Sequence, residues 1–329
     1  MNPRGALLAR LQEENGGSIP FWRFMQEALY HPEFGYYTAQ IRGIGRRGDF
    51  STLPVLDDIL GKAIARWISP DTRHVIEVGA GQGQLARAVR RSMGLFRRWR
   101  TVYHIVEISP VLRARQQALL GESVRWHNGI GSALEAANGV ADVFSNELVD
   151  AFPCRVFEKS DPGWRELGLR LEGGTAVEIL RDAVLPASSA FGSENPTGSR
   201  VEVHESYRDW VKSWRPLWRR GRMLTIDYGS TMPGLYRRRP QGSLRAYSHH
   251  QHLTGREVYS SFGHRDITAD VNFSDLIEWG NELRMDSPRL SPLDAFLAHQ
   301  LGGNKVPKDF RAALQEFQVL EQTTECLDF

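Results

Sequence analysis

Three glycines at alternate positions, Gly79, Gly81 and Gly83, follow the run VIEV (75–78) and precede a helical pattern. Bare backbone between a strand and a helix closes well around a nucleotide-like ligand. Two carboxylates accompany the loop: Glu77, two residues before the first glycine, and Glu107, at the end of the next apolar run. The dinucleotide fingerprint G-x-G-x-x-G places its third glycine where this chain has Gln84. A pyrophosphate would also be repelled by Glu77. S-adenosylmethionine has no phosphate, and its sulfonium and amino groups are cationic, so nearby carboxylates favour it. Glu107 lies about 20–25 residues beyond the glycines, where a ribose-binding carboxylate belongs. The loop therefore points to S-adenosylmethionine rather than NAD, with Glu77, Gly79, Gly81, Gly83 and Glu107 as cofactor residues. The plain alternative is a glycine-rich turn that binds nothing.

A second constellation lies in FSNELVDAFP (144–153), which leaves an apolar run read as the fourth parallel strand. Asn146 follows that strand, and Glu147 and Asp150, three apart, would share a face on a helical turn. A guanidinium presents a flat fork that two carboxylates can grip, aiming one nitrogen at a methyl donor. Asn146, Glu147 and Asp150 are the candidate catalytic residues, with Asn146 also beside the cofactor. The same residues suit a helix start, with Ser145 or Asn146 as the cap and the acids complementing the helix dipole. The spacing does not separate these readings. Asp227 and Tyr228, after the fifth strand, could line the substrate mouth, and Trp126 could flank the adenine. His249, His250 and His252 lack a carboxylate or cysteine at a recognised spacing, so no metal is expected.

The elements that must position these residues alternate from Arg73 onward. The segments HVIEV, VYHIVEI, VRWHN and ADVFSNE read as strands, separated by helices at 84–93, 110–120 and near 131–136. Such alternation predicts an α/β domain with a parallel sheet, and ligands at the carboxyl ends of its strands. Residues 154–181 read as antiparallel strands joined at the DPG and EGG turns. A helix over 201–215, the strand RMLTIDYG, and helices near 274–284, 292–300 and 308–321 complete the expectation. Residues 1–72 read as an N-terminal helical arm and lid, with helices around 3–14 and 20–30. Residues 73–329 read as a Rossmann-like core with insertions near 154–200 and 230–270. In the lid, Gly35 to Thr52, Asp49 could meet the cofactor's amino end.

Composition narrows the classes. An apolar share of 41% and a charged share of 24% suit a soluble globular protein. A net charge of +2 argues for neither nucleic acid nor an acidic membrane as partner. Cys154 and Cys326 form no disulfide framework or zinc pattern. No apolar run approaches the roughly 20 residues of a membrane span. The N-terminus carries Glu13 and Glu14 and too short an apolar patch for a signal peptide. The expectation is a cytoplasmic protein.

The segments EFGYYT, GDFSTLP, VEISPVLRARQQALL, SNELVDAFP, IDYG, SLRAYSHH and DITADVNF, in this order, resemble the MidA-like family of S-adenosylmethionine-dependent methyltransferases. The resemblance runs from about Ile19 to Phe273. It implies a class I methyltransferase fold and the cofactor S-adenosyl-L-methionine, with Asp49 and Thr52 of GDFST among the cofactor residues. Mitochondrial relatives in this family methylate an arginine of a complex I subunit. By analogy the resemblance implies a protein substrate that presents an arginine, and a respiratory complex subunit is one such substrate. Methylation of a small molecule or another side chain, and a non-catalytic assembly chaperone, are the rival expectations. The chain departs from the family at Val55, where a Glu is usual, in the GAG of the loop, usually GPG, and at Phe262 and Leu293.

Overall fold

A computed structural model describes residues 2–41, 54–192, 195–248, 251–302 and 314–324. The chain divides into two compact units. One holds residues 43–148, 210–229 and 276–329, and the other holds residues 1–42, 149–209 and 230–275.

Among the described residues the first unit is built on seven strands: β1 (His74–Val78), β2 (Val102–Val106), β3 (Arg125–His127), β4 (Asp142–Asn146), β5 (Gly221–Ser230), β6 (Asp286–Pro292) and β7 (Phe317–Thr324). Their spatial order is β6-β7-β5-β4-β1-β2-β3. The pairs β1–β2, β2–β3, β1–β4 and β4–β5 are parallel. Strand β7 runs antiparallel to both β5 and β6. Chain order reverses between β1 and β4, and there the crevice outside the strand carboxyl ends opens for a ligand. This is the expected Rossmann-like α/β arrangement.

Helices α1 (Pro54–Trp67), α2 (Gln84–Ser92), α3 (Pro110–Leu120) and α4 (Ile130–Ala136) belong to this unit. Strands β1, β2 and β4 read as nearly continuous apolar runs because helices cover the sheet. Ile64 and Trp67 of α1 share one core with Val75, Tyr103, Phe144, Leu224 and Val319. Helix α1, read from sequence with the N-terminal arm, thus packs with the sheet.

A helix was expected over 308–321, but residues 317–324 form β7. Within FQVLEQTT, Val319 and Leu320 are both buried, so no clean alternation marks a strand. Only the gap between β5 and β6 makes this segment extended, by satisfying its backbone on both sides. Strand β6 is largely exposed and contains Pro288 and Pro292, which an edge strand tolerates.

The second unit gathers the N-terminal segment and both segments read as insertions. Its helices Pro3–Glu14 and Phe21–Tyr30 match the expected arm helices closely. Strands Arg155–Lys159, Trp164–Glu172 and Thr175–Arg181 form the expected antiparallel meander. Residues 200–203, expected to begin a helix, are instead a strand paired antiparallel with Arg155–Glu158, and the helix starts at Glu205. The alternation of RVEV outweighs its helical context, since Val201 and Val203 both face the core. No described helix is long and apolar enough to cross a membrane.

Candidate functional site

The loop after β1 is held in a shape that only glycine adopts readily. Gly79, Gly81 and Gly83 have φ of 70°, 53° and 83°. A Cβ on Gly79 would also lie 2.8 Å from Leu148 Cδ1. The amide of Gly79 donates to Val106 O at 3.0 Å, and that of Gly83 to Ala80 O at 2.8 Å, so the loop turns sharply into α2.

Glu77 is buried beneath this loop, and the Tyr103 hydroxyl donates to its Oε2 at 2.5 Å. The pairing follows from register. Val75 faces Tyr103 across β1 and β2, so Glu77, two residues along, lies diagonally on the same face. Burial, then the Glu77 charge, pushes the Tyr103 phenol well up, so it stays a donor.

Glu107 follows β2 and is also buried. Its Oε1 accepts from the Ser109 amide at 2.8 Å and its Oε2 from Gln116 Nε2 at 2.9 Å. The same Gln116 nitrogen donates to Gly81 O at 2.8 Å, and Trp126 Nε1 donates to Gln116 Oε1 at 3.0 Å. One amide therefore fastens the strand-end carboxylate to the glycine loop. Burial raises the Glu107 carboxyl above its ordinary range, and these hydrogen bonds oppose the rise. Gln116 was not foreseen from sequence. A signal existed: Leu112 and Gln116 lie at helical spacing on the buried face of α3, which Ser109 caps, and a buried glutamine needs a partner. Trp126, considered for the adenine, spends its ring N–H on Gln116.

At the end of β4, Asn146 Nδ2 donates to Glu147 Oε1 at 3.2 Å. Glu147 has φ of 51° and its amide donates to Ile226 O at 2.9 Å. Val149–Ala151 then forms a separate 3-10 turn. The expected helical turn that would put Glu147 and Asp150 on one face is not formed, because the left-handed residue interrupts it. Asp227, considered for the substrate mouth, is fully buried and accepts from the amides of Leu148 at 3.1 Å and Tyr228 at 2.9 Å. Its carboxylate shapes the turn after β4.

Asp150 is buried in the second unit. Burial pushes its carboxyl up to about 6, the Arg245 guanidinium works against that, and Asp270 adds to it. Arg245 is itself buried, pairs with Asp270, and donates from Nε to the Tyr247 hydroxyl at 2.9 Å. Arg239 meets the other Asp270 oxygen at 3.2 Å. In the arm, the Tyr37 hydroxyl donates to Asp266 Oδ1 at 2.7 Å. Asp49 and Thr52, with most of the expected lid, lie outside the described residues, as do His249 and His250.

The arrangement places the glycine loop and Glu107 after β1 and β2, and Asn146 at the end of β4, around the point where strand order reverses. A family model described as "Putative S-adenosyl-L-methionine-dependent methyltransferase" matches residues 60–290. The chain is 26% identical over 305 residues to the mitochondrial protein arginine methyltransferase NDUFAF7 of Xenopus tropicalis, covering 78% of this chain. The match spans 66% of that relative's length. It is 25% identical to the Drosophila melanogaster homologue, over 95% of this chain and 79% of the relative. A crystal structure from Burkholderia thailandensis with S-adenosyl-homocysteine bound is similar at a TM-score of 0.79 and 28% identity, covering 100% of this chain and 95% of that one.

Proposed function

Because the chain belongs to this family of S-adenosyl-L-methionine-dependent methyltransferases, we propose that it methylates an arginine side chain of a protein. The names of the NDUFAF7 relatives support the arginine, and the site supports the cofactor. The observation that carries the reading is the bracket of Glu107, Gln116 and Gly81. It fixes a buried carboxylate against a glycine loop through the Ser109 amide and the Gln116 side chain, while the Arg113 guanidinium donates to the Glu107 backbone carbonyl at 3.2 Å.

In this reading Glu107 accepts hydrogen bonds from the ribose hydroxyls. Gly79, Gly81 and Gly83 let the backbone approach, and Glu77 and Asn146 flank the cationic end. The cofactor supplies, when bound, an electrophilic methyl group on a positively charged sulfur. The rest falls to the chain. Glu147, oriented by Asn146, grips the acceptor guanidinium and takes up on its carboxylate the proton that the attacking nitrogen must shed. Asp150, buried beside Arg245 and Asp270, is assigned to holding its own unit together. The protein substrate, a respiratory complex subunit among the candidates, is recognised through its arginine.

The test is mass spectrometry of methylarginine in cells with and without the gene. A methylarginine peptide should vanish with the gene, return with the wild type, and fail to return with Glu147→Gln, which should still bind S-adenosylhomocysteine. A methyl group lost instead from another side chain or a small molecule overturns the arginine reading and leaves the cofactor reading intact.

A further inference from the structure

Between Glu77 and Glu107 the chain carries six arginines, Arg87, Arg90, Arg91, Arg97, Arg98 and Arg100, and no acidic residue. The whole-chain charge of +2 conceals this local excess. Three of the six lie in the short helix Leu95–Arg100, whose Leu95, Phe96 and Trp99 are 83%, 69% and 83% exposed. Apolar side chains scattered singly over a surface are ordinary, but three of the largest on one helical turn are not.

The helix is not loose. Arg97 points inward and caps the end of α1, donating to Ala65 O at 2.7 Å and Ser69 O at 2.9 Å, and also to Ile68 O. With Arg97 facing inward, the turn of about 100° per residue sends Leu95, Trp99 and Phe96 outward as one arc. Arg98 borders that arc on one side and Arg100 on the other. Arg100 stands 5.4 Å from the Phe96 ring centre, which keeps its charge beside the apolar surface.

We propose that this face docks on an anionic lipid bilayer. Protruding apolar side chains in the middle enter the acyl boundary, and flanking arginines meet lipid phosphates. The chemistry selects this occupant. Arg98 and Arg100, exposed on either side of the arc, call for an anionic partner, and a nucleic acid offers no hydrocarbon to receive Leu95. The arc projects outward from the helix, so a fluid surface accepts it without a preformed pocket.

Vesicle co-sedimentation of the full chain tests the proposal, using phosphatidylcholine alone or mixed with phosphatidylglycerol. The wild type should bind the anionic vesicles, more weakly as salt rises, and bind phosphatidylcholine poorly. Replacing Leu95, Phe96 and Trp99 together by Ala should lower partitioning by about tenfold or more. Arg98→Ala and Arg100→Ala should each lower it by about fivefold at low salt. S-adenosylhomocysteine binding and melting temperature should be unchanged, because these side chains project to solvent. Failure to bind anionic vesicles, binding indifferent to lipid charge, or variants that bind like the wild type overturn the proposal. So does sedimentation velocity showing a dimer that the triple variant dissolves, which would assign the face to a second copy.

Discussion

In the sheet unit, Glu77 takes a hydrogen bond from a tyrosine hydroxyl, and Glu107 takes them from a backbone amide and a glutamine. In the second unit, Asp270 lies between Arg245 and Arg239, and Arg200 holds Glu158 at 2.8 Å and Glu178 at 2.7 Å. Both arrangements put carboxylates in poorly solvated places, yet the Glu107 oxygens accept from an amide and a glutamine, whereas the Asp270 oxygens meet two guanidinium groups. An ion pair neutralises its carboxylate and stabilises the fold only while both members remain. A carboxylate held by neutral donors keeps its charge at a cost in stability, and a positively charged ligand can draw on it. Neutral donors alone do not mark a ligand carboxylate, because Glu202 of the second unit is also buried on the Ser243 and Leu244 amides and the Ser243 hydroxyl; what sets Glu107 apart is its place at a strand end, tied through Gln116 to the glycine loop.

The sharpest way to break that contrast is Arg245→Ala. It removes the buried partner of Asp270, beside the raised Asp150, leaves the more exposed Arg239 on the other oxygen, and should cost about 3 kcal/mol of stability, read from urea unfolding. A change within about 0.5 kcal/mol, the range of ordinary surface substitutions, would show that the pairs of the second unit are dispensable. Glu107→Gln comes next. It should weaken S-adenosylhomocysteine binding by about 1.5–3 kcal/mol in calorimetry. Burial raises the folded Glu107 value above the unfolded one, so its contribution to stability is complete below the ordinary range and lost as pH rises through the folded value. The free Gln variant should therefore be at least as stable as wild type at pH 7. A variant that unfolds, with ligand affinity kept, would move Glu107 into the supporting class.

A third effect sharpens the picture within the sheet. His74, His104 and His127 form a chain across β1, β2 and β3, with ring nitrogens 3.0 and 2.9 Å apart. Burial, then the neighbouring His127, pushes His104 down to about 3. Its folded value lies below the unfolded one, so the stability it contributes is complete above about pH 6.5 and lost as pH falls toward 3. Unfolding measured at pH 7 and pH 4.5 should differ by about 2–3 kcal/mol from this residue. His104→Phe should flatten that part of the slope.

Much of the sheet unit was readable because its signals are local. Glycines follow a strand within five residues, and helices alternate with apolar runs at short range. Glu107 was readable from its distance to the loop, whereas Gln116 was not, since its two partners come from segments that only folding brings together. The pairing of Glu147 with Asp150 illustrates the opposite failure. Spacing of three suggests a shared helical face, but the left-handed backbone at Glu147 breaks the turn, and residue type alone does not announce it.

The sequence by itself determined the parallel α/β core, the glycine loop and the strand-end carboxylates. Each follows from periodicity, backbone freedom or charge within one short segment. Tertiary structure alone decided that residues 317–324 become a strand, because only the open edges of β5 and β6 satisfy their backbone. It alone gathered the arm and the two later segments into one unit. It also decided which carboxylates meet guanidinium groups and which meet neutral donors. Those outcomes depend on contacts between residues far apart in the chain, and no local pattern encodes them.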